Sequence, residues 1–352
     1  MSVSERSALL SEREARGTRD TSPSRKPRLG FLGVGWIGRH RMECIAASGV
    51  ASVAVIADPS ADNAAAAVAA IEGIEVVGDT LDSLLDADVD GVVIATPSAQ
   101  HAEQAIAALE RGVAVFCQKP LARTARETER VVDAARAADR LLAVDLSYRY
   151  TAGMQRIRPL VRRGELGTVY AVDLVFHNAY GPDKPWFFDP ALSGGGCVID
   201  LGIHLVDLAL WTLDFPRVVE ATSRLYATGA PLGALSDRVE DYASAQLDLA
   251  SGATVRLTCS WNLPAGQDAV IGATFYGTDG AAALTNVNGS FYDFRAERFR
   301  GTLREPLAEP PDAWGGRAAV EWAERLAAGE RYDLAIERLV DVAAALDRIY
   351  GR

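Results

Sequence analysis

The chain is poor in cysteine. Its 352 residues hold four, Cys44, Cys117, Cys197 and Cys259, far apart and without a CxxC pair. That spacing argues against a disulfide framework or a zinc cluster, so reduced thiols in a cytoplasmic protein are expected and no metal site is. Basic residues are outnumbered, 36 against 47 acidic ones, for a net charge of −11. No basic block offsets that balance, so neither nucleic acid nor an anionic membrane is an expected partner. No run of about eighteen apolar residues is present, and no membrane span is expected. The first twenty residues carry no apolar signal core.

What is present is an ordinary globular composition, 49% hydrophobic and 24% charged. The length predicts two domains. Residues 1–27 are rich in Ser, Arg and Glu and read as a flexible tail. Residues 28–146 alternate short apolar strands with helical stretches, the pattern of a doubly wound parallel sheet. From residue 147 the texture changes. Four strands are expected after residue 217, at Val218–Tyr226, Tyr242–Leu249, Thr254–Trp261 and Ala269–Tyr276, with no helices between them. They imply an antiparallel sheet with one open face, and two closing helices follow. The fold class is therefore α/β: an N-terminal doubly wound domain of Rossmann type and, over 147–352, a second α/β domain.

Three stretches carry the chemistry. The first is Gly33-Val34-Gly35-Trp36-Ile37-Gly38, a GxGxxG between a strand and a helix, with Asp58 ending the next strand twenty residues on. Gly33 allows the tight turn, Gly35 lets backbone N–H groups approach a pyrophosphate, and Gly38 lets helix and strand pack closely. Trp36 and Ile37 belong to the same cradle. A carboxylate at Asp58 accepts from both ribose hydroxyls, and Pro59-Ser60-Ala61 offers no Arg for a 2′-phosphate, so NAD is favoured over NADP. The second comprises two strand ends. Thr96 and Pro97, with His101 opening the next helix, follow one strand; Gln118 and Lys119 follow another. Ligands of open α/β sheets bind at such ends. By position alone, His101 reads first as a helix-start residue near cofactor or solvent and Lys119 as a surface lysine in a loop.

The third stretch is Ser193–Leu213. At helical spacing Asp200, His204, Asp207 and Trp211 share one stripe of an otherwise apolar helix. The stripe is either a thin solvated strip or a carboxylate–imidazole pair lining a cleft. Trp186 sits in an aromatic, proline-rich loop that could floor a sugar-like ring or fill a gap. Tyr148, Arg149, His177, Asn178, Lys184 and Asp207 are weaker substrate candidates; for Arg149 an interdomain salt bridge is the competing reading.

In order, GxGxxG with Asp58, Lys119-Pro120, a Gly-Glu-Leu-Gly turn (164–167) and Gly194–His204 as GGGxxxDxGxH resemble the glucose–fructose oxidoreductase / inositol dehydrogenase / rhizopine-catabolism (Gfo/Idh/MocA) family. The resemblance implies NAD(P), a large, mainly antiparallel sheet in the second domain, and a sugar, sugar-derivative or inositol substrate between the domains. It also implies a catalytic set that matches Lys119, Asp200 and His204, and a homodimer or homotetramer formed through the open sheet face. Tyr148, Arg149, His177 and Trp186 would then join the catalytic set in binding substrate. One departure stands out: the family's Glu before the lysine is Gln118. The expected activity is hydride transfer between nicotinamide and a secondary alcohol or ketone. A non-catalytic dinucleotide-binding regulator and a redox-neutral glycoside-processing enzyme are the alternatives.

Overall fold

The computed structural model describes residues 25–233 and 237–352; all but the last three residues of the expected tail lie outside them. The first sheet is parallel, with strands β1 (Arg28–Leu32), β2 (Ser52–Ala57), β3 (Glu75–Gly78), β4 (Gly91–Ile94), β5 (Ala114–Cys117) and β6 (Leu142–Val144) in the order β3-β2-β1-β4-β5-β6. The interleaved helices are α1 (Trp36–Ser48), α2 (Ala61–Ala70), α3 (Leu81–Leu85), α4 (Ser98–Glu110) and α5 (Ala125–Ala138). The order reverses between β1 and β4, the place where such sheets open a crevice at their carboxyl ends. β4 and β5 are buried along their whole length, as a strand covered on both faces requires.

Beyond β6 come a 3₁₀ turn (Ser147–Tyr150), helix α6 (Ala152–Arg162) and strand β7 (Val169–Asn178). The second sheet has nine strands, β15-β14-β13-β12-β7-β11-β10-β8-β9. Its pairings are antiparallel except for β7 beside β11. The four expected strands are β8 (Val218–Ala227), β10 (Tyr242–Leu249), β11 (Thr254–Ser260) and β12 (Ala269–Gly277). Sequence reading missed β9 (Ala230–Pro231), β13 (Ala281–Asn286), β14 (Phe294–Arg300) and β15 (Leu303–Ala308). β14 carries Arg or Glu at four of its seven positions, and β15 interrupts its apolar residues with Arg304, Glu305 and Pro306, so neither shows a clean apolar alternation.

The Ser193–Leu213 stretch is not one regular helix. A single turn (Pro190–Ser193) leads through the glycines into a π-helical turn (Val198–Gly202) and then into α7 (Ile203–Thr212). Pro190–Thr212 is long and apolar enough to cross a membrane, but 83% of its most apolar eighteen-residue window is buried inside the protein. Its hydropathy is that of a central core segment.

The chain's end returns to the first sheet. Helix α8 (Arg317–Ala327) packs on α1, and Ala318, Ala319, Trp322 and Ala323 join Leu29, Phe31, Val93 and Phe116 in one core. α9 (Arg338–Tyr350) packs against α5 and α7. Trp322 is 1% exposed, with its ring 5.7 Å from that of Phe116. Trp322→Ala is expected to cost about 3–5 kcal/mol of stability, read as a lower midpoint in urea.

Candidate active site

A cavity of about 1280 Å³ opens where the carboxyl ends of β1, β4, β5 and β6 meet the π-turn and α7. Its dinucleotide end is built by the glycine loop. A Cβ on Gly38 would lie 2.1 Å from the Gly33 carbonyl oxygen, so only glycine permits that approach, while a Cβ on Gly35 would meet only Asn63 Nδ2, at 3.9 Å. The open side of Gly35, at the N-terminus of α1, leaves room for a pyrophosphate against backbone donors. Trp36 lies over the cavity, 63% exposed, and Ile37 lines it. Asp58 is fixed by the N–H groups of Val34 (2.7 Å) and Ser60 (2.8 Å). The residues lining the wall beside it are Pro59, Ser60, Asn63 and Asp79, with no cation among them. These features fit a nicotinamide dinucleotide, with the glycine loop at its phosphates and Asp58 at a ribose.

Thr96, Pro97, His101 and Gln118 also line the cavity. His101 is buried, and its two ring nitrogens lie 2.7 Å from the carbonyl oxygens of Thr96 and Pro120. It ties two strand-end loops together. Burial pushes its pKa down against the pull of those carbonyls.

At the other end, Lys119 Nζ donates to Asp200 Oδ1 and to the Asp200 carbonyl, both at 2.7 Å. Asp200 Oδ2 accepts from Trp261 Nε1 at 3.0 Å. Asp200, which helical spacing offered as a partner for the His204 ring or for a substrate hydroxyl, pairs with Lys119 instead. The extra residue of the π-turn aims the carboxylate at the lysine, the kind of re-aiming such turns provide at functional sites. His204 packs against Tyr148, ring centroids 4.7 Å apart, and its Nδ1 is buried without a hydrogen-bond partner among the described residues. Burial, then the charges of Lys119 and Arg41, push its pKa well below 6.5, so the imidazole is neutral near pH 7.

The wall continues through Tyr148, Trp186, Phe187, Lys184, Tyr292 and Trp314. Trp186 stacks on Phe187 with centroids 3.8 Å apart. Four candidates lie outside that wall. Arg149 forks onto Asp207, Nε to Oδ2 at 2.7 Å, with a second contact from Nη2 to Oδ1. A guanidinium so paired with a 1%-exposed carboxylate is committed to packing, which corrects the substrate role for Arg149 and Asp207. His177 bonds Ser260 Oγ at 2.8 Å and stacks on Tyr242, which corrects its substrate role too. Asn178 ends β7, and its side chain accepts from the Tyr180 N–H.

Sequence reading missed Glu240. Its carboxylate is buried and accepts from the N–H groups of Gly196 (3.0 Å) and Val198 (2.9 Å) and from the Tyr350 hydroxyl (2.8 Å). It caps the entry to the π-turn, where a negative charge meets the positive end of the helix. A Cβ on Gly196 would lie 1.9 Å from the Glu240 carbonyl oxygen, and one on Gly195 2.1 Å from Tyr350 Oη. The glycine run is thus the imprint of Glu240 and Tyr350, but nothing local to position 240 signals it. Gly202 packs its bare side toward Leu257 and Cys259, away from the cavity.

The fold and this crevice define a two-domain α/β protein of the Rossmann dinucleotide-binding class. A family model described as "Oxidoreductase family, NAD-binding Rossmann fold" matches residues 28–146, and the "GFO/IDH/MocA C-terminal domain" matches 154–283. The chain belongs to the Gfo/Idh/MocA oxidoreductase family, as its motifs suggested. It is similar to D-glucoside 3-dehydrogenase of Escherichia coli (strain K12), 29% identical over 50% of this chain and 53% of that one, so the match spans about half of that relative. It is 28% identical to inositol 2-dehydrogenase 4 of Saccharopolyspora erythraea over 84% of this chain and 86% of that one. The solved structure of GenD2 from gentamicin A biosynthesis, in complex with NAD, superposes with a TM-score of 0.76 at 25% identity over 95% of both chains.

Below pH 6.5 the unfolded chain binds a proton at His204 that the folded chain refuses. Stability from this group is present above that pH and is lost as pH falls, by up to about 1.4 kcal/mol per unit. His40, His101 and His177 are shifted the same way. In urea titrations from pH 8 to about pH 5, His204→Gln should therefore lose stability less steeply than the unaltered protein.

Proposed function

We propose that this protein is an NAD-dependent oxidoreductase that moves hydride between nicotinamide and a secondary alcohol or ketone of a sugar, sugar derivative or inositol. The observation that carries the reading is the Lys119–Asp200 pair facing His204 inside the cavity that begins at the glycine loop. The names of the relatives support the polyol class. Residues 28–146 hold the dinucleotide and 147–352 the substrate. NAD is preferred to NADP because Asp58, with Asp79 nearby on the same wall, repels a 2′-phosphate.

When bound, the nicotinamide supplies the hydride acceptor or donor. The protein's part is one proton and the geometry. Lys119, oriented by Asp200, donates a hydrogen bond to the reacting oxygen and stabilises negative charge as it develops there. His204, neutral at working pH, takes the hydroxyl proton in oxidation and returns it in reduction. Asp200 keeps the ammonium in place and shares its other oxygen with Trp261. Tyr148 and Trp186 offer ring faces to the apolar side of a pyranose or cyclitol.

The reading extends to a cytoplasmic location, supported by four free thiols, Cys197 and Cys259 among them with their sulfurs 3.7 Å apart. It also extends to a homodimer or homotetramer through the face of the second sheet that carries Tyr242, Gln246 and Arg256, and to no nucleic acid or membrane partner, in keeping with the charge of −11.

NADH formation is to be followed with a panel of polyols and cyclitols. Turnover of at least one is expected, and binding of NADH without any turnover would refute the reading. His204→Ala should lower kcat by about 10²–10⁴-fold. Lys119→Ala should lower kcat while NADH still binds; lost cofactor affinity would make the lysine a nucleotide contact.

A further inference from the structure

The residue before Lys119 is an amide, and the structure shows its use. Gln118 Nε2 donates to Asp145 Oδ2 at 2.5 Å, and Arg41 Nε donates to the same oxygen at 2.6 Å. Arg41 comes from α1, Gln118 follows β5 and Asp145 follows β6. All three are more than nine-tenths buried, and all line the cavity. The cluster joins the helix that starts at the glycine loop to the two strand ends beside Lys119.

A carboxylate at position 118 would face Asp145 acceptor to acceptor, two buried anions against one guanidinium. The amide instead supplies a donor and no charge, leaving one anion matched to one cation. We propose that Arg41, Asp145 and Gln118 form a positioning cluster that sets Lys119 in the cleft, with its carboxylate placed on Asp145 and position 118 therefore neutral. The proposal rests on reading the cleft as a hydride-transfer site. The cluster also acts at a distance, since the charge of Arg41 is among the causes that keep His204 neutral.

The titratable and charged groups facing Asp145 are Arg41, His40 and Cys44 of α1 and Cys117 of β5. Burial lowers the pKa of His40 and raises those of both thiols, so these three are uncharged near pH 7, and among the described residues Arg41 is the cation paired with Asp145. A second carboxylate would have no cation of its own.

The test uses Gln118→Glu, Asp145→Asn and the two together. In Gln118→Glu one of two facing carboxyls has its folded pKa raised above the unfolded value. Its contribution to stability is then present at acid pH and lost as pH rises. The melting temperature of Gln118→Glu should fall further below that of the unaltered protein between pH 5 and pH 8. The double variant again has one carboxylate and one amide, so its deficit should be smaller and flat with pH. With a turned-over polyol, kcat of Gln118→Glu should drop about tenfold to a hundredfold at pH 8, partly recover toward acid pH, and return in the double variant. KM for NAD should change little. Additive effects in the double variant, or a pH-independent melting deficit, would overturn the cluster. Coupled melting curves with unchanged kcat would overturn its positioning role. If the unaltered protein turns over nothing, that counts against the proposed function, and the melting curves decide the cluster by themselves.

Discussion

The structure depends most on the contact between Lys119 and Asp200. The lysine stands at the end of a strand in one sheet, and the aspartate sits on a π-turn packed against the other. Their side chains meet at 2.7 Å while 19% and 15% exposed. At such partial burial a pair is neither dispersed by water nor left to pay the full desolvation of a dry interior. It is also not left to the two side chains alone. The ammonium reaches the Asp200 main-chain oxygen as well, and Trp261 holds the carboxylate's second oxygen. The result is a cation of fixed direction at the junction of the dinucleotide crevice and the second sheet.

Much of the surrounding structure keeps the two ends of that contact still. On the Asp200 side, Glu240 and Tyr350 hold the first turn through the N–H groups of Gly196, Val198 and Ile199. Burial pushes the Glu240 carboxyl up, and the donors from Gly196, Val198 and Tyr350 offset only part of that rise. On the Lys119 side, His101 bridges two loops, and Arg41, Asp145 and Gln118 join α1 to the neighbouring strand ends. Behind α7 the Arg149–Asp207 pair fastens the helix to the 3₁₀ turn that links the sheets. Each joins buried polar groups from separate elements, an arrangement that constrains geometry more than it adds stability.

The parallel sheet, its crevice and the glycine loop were legible in the sequence because each depends on local pattern: strand, glycines, helix, acid. Motif and spacing singled out Lys119, Asp200 and His204, which the fold brings to one cavity. Helical spacing failed at the π-turn, which no periodicity announces, and so the pairing of Asp200 with Lys119 was not foreseen. It failed again for Asp207, whose stripe continues past the cavity to meet Arg149. Glu240, Asp145 and Arg41 were invisible because their importance lies in contacts across 44, 27 and 104 residues. Strands β13–β15 were missed for different reasons: β13 is half alanine, with little β-branched or aromatic signal, and β14 and β15 break their apolar positions with Arg, Glu and Pro.

The central claim is that Lys119 and Asp200 act as one unit in the hydride-transfer step. A double-mutant cycle on kcat with Lys119→Ala, Asp200→Ala and the pair tests it most directly. The account predicts that the pair loses little more than the worse single variant, because either change alone leaves the ammonium absent or unaimed. Losses that multiply, each residue contributing independently, would contradict it.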